Sequence, residues 1–183
     1  MFRFSPAAVL PLAPLLLLAA CNSGATVSAE NASASEVAQK IAESRAGEGS
    51  FISPGQWRTT FTIGEMDMPG LPPQALEAMR AHAAKASSHE SCVTEEQAKK
   101  PDPDMFVGKD NENCRYDNFS MGNGKIAAVL RCQGSPGEMK MTMNGTYGPN
   151  AYQMQASVEQ TGPQGKMTMK MDSKAERIGP CKA

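Results

Sequence analysis

From Cys114 to Cys132 the chain reads CRYDNFSMGNGKIAAVLRC. Gly122-Asn123-Gly124 is a turn signal, and the runs on either side of it are strand-like, so the stretch reads as a β-hairpin. Setting Met121 opposite Lys125 brings Tyr116 opposite Leu130 and Cys114 opposite Cys132. Cysteines directly opposed in an antiparallel pair have Cβ atoms near enough to bridge. A one-residue slip would send the two side chains to opposite faces, so register and disulfide are one expectation.

C-terminal to the hairpin, the same period of two continues. Met139, Met141, Met143 and Tyr147 alternate with Lys140, Thr142, Asn144 and Thr146. Tyr152, Met154, Ala156 and Val158 alternate with Gln153, Gln155, Ser157 and Glu159, and Met167, Met169 and Met171 with Lys166, Thr168 and Lys170. Loops of four residues, Gly148 to Ala151 and Thr161 to Gln164, keep all seven of these Met on one face of a meander. One face is then apolar and the other polar, as in an antiparallel sheet with a solvated side. N-terminal to the hairpin, Trp57, Thr59, Phe61 and Ile63 alternate with Arg58, Thr60 and Thr62, which adds a strand opening at Pro54-Gly55. Met68 to Pro73 breaks the chain. Gln74 to Ser88 has helical composition, with Leu76, Met79, Ala83 and Ala86 as a stripe suited to lying on a sheet. Thr94 and Gln97 form a capping box for a short helix that Pro101 ends. The expected fold is mainly β with α. It is an antiparallel meander of about six strands, as a curved sheet or partly closed barrel, with one or two covering helices and two disulfides.

The N-terminus has a different character. Arg3 is followed by an uncharged run from Ala7 to Ala20 centred on Leu15 to Leu18. This run is too short for a comfortable bilayer span and is interrupted by Pro11 and Pro14. It reads as a secretory signal peptide. Leu18-Ala19-Ala20-Cys21 resembles a bacterial lipobox, which implies acylation of Cys21 and a membrane anchor of several acyl chains. Asn22 after the cysteine implies, by analogy with Gram-negative sorting, the outer membrane facing the periplasm. The expected organisation is a lipoprotein signal peptide at 1–20, a lipid-anchored flexible tether at 21–50 and a β domain at 51–183. Within the tether, Ser33 and Glu36 form a capping box for a weak helix through Arg45 with only Val37 and Ile41 as its apolar stripe. Export makes disulfides the natural state of the remaining Cys92, Cys114, Cys132 and Cys181. With Cys114–Cys132 set by the hairpin, Cys92–Cys181 ties down the C-terminus.

Charge narrows the partners. Removal of residues 1–20 takes away one basic residue, Arg3, and leaves 17 basic against 19 acidic, net −2. That is no footprint for nucleic acid, and the expected membrane association is through the anchor alone.

From about Pro54 to Cys181 the chain resembles the proteobacterial family catalogued as domain of unknown function 3617. The resemblance is carried by Pro54-Gly55-x-Trp57, Met68-Pro69-Gly70, Cys92-Val93-Thr94-x-Glu96, the inner Cys114, the Met-x-Met strands and Ile178-Gly179-x-Cys181. It implies a small exported cysteine-containing domain and no particular activity.

No catalytic constellation is visible, and the expectation is a protein that is not an enzyme and uses no cofactor. There is no Gly-x-Ser-x-Gly, no phosphate loop and no Ser/His/Asp order. Glu95-Glu96 suits a helix dipole, and Asp102 and Asp104 lie between prolines. His82, His89 and Cys92 lack a fourth zinc ligand, so no metal site is expected. The Met face (Met139, Met141, Met143, Met154, Met167, Met169 and Met171) carries the functional readings. Methionine is an adaptable core filler and also suits promiscuous apolar binding. One reading is a surface for a hydrophobic small molecule or lipid; the alternative is a packed Met core in a structural or partner-binding lipoprotein whose partner the sequence does not name. A third is Cu(I) held by thioethers.

Overall fold

The computed structural model describes residues 26–44, 52–99, 112–134 and 137–182. The signal peptide, Cys21, Arg45, Asp102 and Asp104 lie outside the described residues. In chain order the elements are β1 (Val27–Ala32), α1 (Ala34–Ser44), β2 (Gly55–Asp67), α2 (Pro73–Ala83), β3 (Ser87–Val93) and α3 (Glu95–Lys99). Five strands follow, β4 (Cys114–Gly122), β5 (Lys125–Gln133), β6 (Glu138–Gly148), β7 (Ala151–Gly162) and β8 (Gly165–Gly179). They form one antiparallel sheet of eight strands in the order β1-β4-β5-β6-β7-β8-β2-β3. The sheet is open, with β1 and β3 at its edges, so neither six strands nor barrel closure describes it.

The two added strands come from stretches that alternation does not betray. β1 and α1 occupy residues expected in a flexible tether. Ser33 and Glu36 do form the capping box, with Ser33 N donating to Glu36 Oε2 at 2.6 Å and Glu36 N donating to Ser33 Oγ at 3.2 Å. Val37 and Ile41 are fully buried among Tyr116, Phe119 and Leu130. The tether is therefore corrected for 27–44: Val37 and Ile41, one helical turn apart, are buried together with Ala34 and Ala38 where a sheet face meets them. β3 takes Ser87 and Ser88 from the expected helix of 74–88, which ends at Ala83 instead. Pairing with β2 and the Cys92–Cys181 bond hold those residues extended. The stripe of α2 is not seated on the sheet either. It has no buried residue, and Met79 is 41% exposed. The Thr94/Gln97 capping box opens α3 as read, with Thr94 N to Gln97 Oε1 at 2.9 Å and Gln97 N to Thr94 Oγ1 at 3.2 Å.

The central hairpin keeps its disulfide by a compensation. The turn is two residues, Asn123 and Gly124, both at positive φ (51° and 72°), so Gly122 faces Lys125 and Met121 faces Ile126. That is one residue off the expected pairing. A β-bulge between Tyr116 and Asn118 takes up the extra residue, and Tyr116–Leu130 and Cys114–Cys132 are opposed as expected. Both disulfides, Cys114–Cys132 and Cys92–Cys181, are present. The connections β6–β7 and β7–β8 are also two-residue turns, Pro149-Asn150 and Pro163-Gln164, rather than four-residue loops.

Two cores pin this sheet. The larger lies under α1. The smaller gathers Ile52, Trp57 and Ala175 with Val93 and Tyr152 at the start of β2. There Trp57 stacks on Tyr152 at 6.1 Å, and its indole Nε1 donates to Ser53 O at 3.0 Å. In the larger core the Tyr116 ring meets Phe119 edge-on at 5.5 Å, and its hydroxyl has no hydrogen-bond partner among the described residues.

Two stability predictions follow from these contacts. An unpaired buried hydroxyl costs about 1–3 kcal/mol, so Tyr116→Phe is expected to stabilise the protein by about 1 kcal/mol at neutral pH in urea denaturation. Burial pushes the Tyr116 phenol up to about 12. Because the folded state holds the proton more tightly, the associated stability is present below pH ~10 and is lost as pH rises from there through 12. Tyr116→Phe should flatten that alkaline loss. For the disulfides, the Cys92→Ala/Cys181→Ala pair opens a loop of 89 residues and the Cys114→Ala/Cys132→Ala pair one of 18. Loop entropy alone predicts losses of about 4–5 and about 3 kcal/mol respectively, and faster amide exchange in β3 in the first case.

Candidate functional site: the methionine face

The registers decide which side each methionine occupies. Met139, Met141 and Met143 on β6 oppose Cys132, Leu130 and Ala128 on β5, and Gln160, Val158 and Ala156 on β7. On β7, Ala156 and Val158 oppose Met171 and Met169 on β8, and Gln160 opposes Met167. Met154 opposes Gly145, where a Cβ would stand 2.9 Å from its Cγ; a glycine there leaves the thioether room. Alternation therefore puts all seven methionines on one face. The opposite face carries Lys140, Thr142, Asn144, Gln153, Gln155, Lys170 and Asp172. That face holds a shallow depression of about 700 Å³ lined by Thr62, Asn144, Gln153, Gln155, Asp172 and Lys174.

Coverage of the Met face is graded. Met143 is 8% exposed in the core beneath α1. Met141, Met154 and Ala156 border that core and are half-buried. Farther on, Met139, Met167, Met169, Met171, Val158 and Ile63 are half-buried, and Phe61 is 44% exposed. Met66 joins the same surface opposite Met169. Alternation from Trp57 to Ile63 could not locate it, because the register shifts between Ile63 and Met66. Arg80 of α2 donates through Nε (2.8 Å) and Nη2 (2.6 Å) to the Met66 carbonyl, which seats α2 at this end of β2, where Met66 is buried although no α2 residue is.

The face is thus neither an enclosed cavity nor a uniformly packed core. It is an apolar surface, capped at one side and open across β7, β8 and the middle of β2 among the described residues. The thioethers are mostly interleaved with Ala, Val, Ser and Gln across the strands, and Met66–Met169 is a directly opposed Met pair. The four cysteines outside the signal region are all in disulfides, so Cys92 is not a metal ligand here. His82 lies on α2 and His89 on β3, both exposed. Among the described residues no cluster of three His, Cys, Asp or Glu is placed to hold a metal, and no helix is long and apolar enough to cross a membrane.

An open antiparallel sheet with one helix on its apolar side and a disulfide at each end defines a small β-rich domain. Residues 52–181 match the family described as protein of unknown function (DUF3617), and the chain belongs to that family. β1 and α1 precede the matched segment, yet they supply Val27, Ala29, Val37 and Ile41 to the main core. Comparison with curated proteins and with solved structures gives no match.

The gradient predicts unequal responses to truncation. Met143→Ala leaves a cavity under α1 and should cost about 2–5 kcal/mol. Met169→Ala, on the open part, should cost less than about 1.5 kcal/mol. Equal losses in chemical denaturation would mean that the two positions are equally covered.

Proposed function

We propose that this protein is a lipid-anchored lipoprotein of a Gram-negative cell envelope that binds a hydrophobic, lipid-like ligand on the open part of its methionine face. The observation that carries the reading is the continuous half-buried row Met167, Met169 and Met171, flanked by Ile63, Val158 and the exposed Phe61. A contiguous exposed apolar patch is unusual on a monomer and marks a contact surface. Flexible thioethers can re-pack around acyl chains of differing shape. The same openness favours a second reading, in which the apolar surface of a partner protein covers the patch.

The anchor gives this surface a place. Cys21 precedes Val27 by six residues, a reach of ~20 Å when extended. Acylation there would hold the β1 edge close to the bilayer, where the supply of acyl chains is greatest. The choice of the outer membrane, with the domain facing the periplasm, rests on Asn22 and is part of the proposal.

Native mass spectrometry of residues 22–183, exported to a periplasm and purified without detergent, tests the ligand. A stoichiometric lipid mass is expected, and it should vanish in Met169→Asp/Met171→Asp while the fold, judged by circular dichroism, is retained. A clean protein mass that stays unchanged after incubation with phospholipid vesicles would sink the lipid reading and leave the partner surface. Anchoring is checked separately in the full chain: Cys21→Ser should abolish radiolabelled palmitate incorporation.

A further inference from the structure

The sheet is open and so has two edges, which are treated differently. On β1 the regular ladder is broken at Asn31, whose φ is 46°. Lys40 Nζ donates to Ser28 O at 3.2 Å, and Arg115 donates through Nη2 to Asn31 O and through Nε to Asn31 Oδ1 at 2.9 Å. Cations thus hold two of the β1 carbonyls. Irregularity and basic side chains are the usual protections of an exposed edge.

β3 has neither. Its register with β2 runs without a bulge from Gly55–Val93 to Phe61–Ser87. Ser87 to Cys92 are exposed, and the strand contains no Lys, Arg or Pro. Among the described residues the contact to a β3 carbonyl from a side chain is that of Cys181 Sγ with Val93 O, at the very end. Yet the strand is firmly fastened. The Cys92–Cys181 bond reaches across β2, and Glu90 holds Arg58 at 3.1 Å and Lys182 at 3.3 Å. Hydrogen bonding by Arg58, and then by Lys182, keeps the Glu90 carboxyl below its ordinary range. A straight, fastened and unprotected strand is a pre-ordered template for pairing.

We propose that β3 pairs antiparallel with β3 of a second copy of this chain, about a two-fold axis through His89. In that register His89 faces its counterpart, Ser88 faces Glu90 and Ser87 faces Ser91, so no like-charged side chains are opposed at neutral pH. Shifting one way sets Glu90 against Glu90; shifting the other way shortens the ladder to Ser87–His89. The two-fold lies perpendicular to the sheet, so the apolar faces of both copies join into one surface, with Phe61 next to the junction opposite Ser87. The ladder is short and the contact is weak in solution, which suits molecules concentrated on a membrane. The inference stands independently of any ligand on the methionine face.

Sedimentation equilibrium of residues 22–183 with both disulfides intact tests it, up to about 1 mM, the range for so small a contact. The weight-average mass should rise towards twice the monomer. His89→Lys sets two ammonium groups face to face and should hold the protein at monomer mass. Ser88→Lys sets an ammonium opposite Glu90 and should shift dimerisation to lower concentration. His89→Cys should form an intermolecular disulfide on mild oxidation. Monomer mass throughout in the unmodified protein, or a dimer that His89→Lys leaves intact, overturns the proposal. Both positions, Ser88 and His89, are exposed, and unchanged circular dichroism shows that the fold survives each of these changes.

Discussion

Everything else in this structure depends on the seating of one short helix on one broad face. Eight strands about 4.8 Å apart make a sheet roughly 34 Å wide. An α-helix of 11 residues is roughly 16 Å long and about 10 Å across. Val37 and Ile41 fix α1 over Tyr116, Phe119 and Leu130, and that contact leaves the strands beyond β6 without a helical cover. The exposed apolar surface is therefore a consequence of proportion. A continuous apolar face has been built across β5 to β8 and β2, and among the described residues the helix packed on it spans less than half its width.

The two disulfides answer the same problem from opposite ends. A sheet with so little covering layer has little core per strand, and small domains in that position rely on cross-links. Cys114–Cys132 closes the hairpin that α1 sits on. Cys92–Cys181 fastens the edge strand with the least burial, beside the small Trp57 core. Surface ion pairs such as Arg131 with Asp117 and Glu138, both at 2.6 Å, add little by comparison, because both partners remain solvated.

How much of this was legible in the sequence depends on the range of the interaction that decides each element. The Met-x-Met strands and both capping boxes are local patterns, and the structure contains them. The Cys114–Cys132 pairing was read from a register that was off by one at the turn; the bulge after Tyr116 restored it, and nothing in residues 114–132 announces that bulge. β1 and β3 have little alternation of their own. Their extended state comes from partners 94 residues away in the case of Val27 with Met121, and from β2 and a disulfide in the case of Ser87 to Val93. The seven-methionine face was legible because side-chain period is a local property. Its coverage was not, because coverage depends on where α1 and α2 come to rest.

That difference explains the choice of methionine better than packing alone does. A side chain at a permanently packed position gains from a branched, rigid shape, as Ile41, Val37 and Leu130 have under α1. A side chain that must be tolerable half-exposed, and also pack when something lies on it, gains from an unbranched and polarisable chain with several rotamers. The residue types divide only in part along that line, since Val158 and Ile63 stand on the open part. Met121 and Met143 are the methionines in the core beneath α1 and Met66 is buried at the end of β2, while Met139, Met167, Met169 and Met171 line the open part.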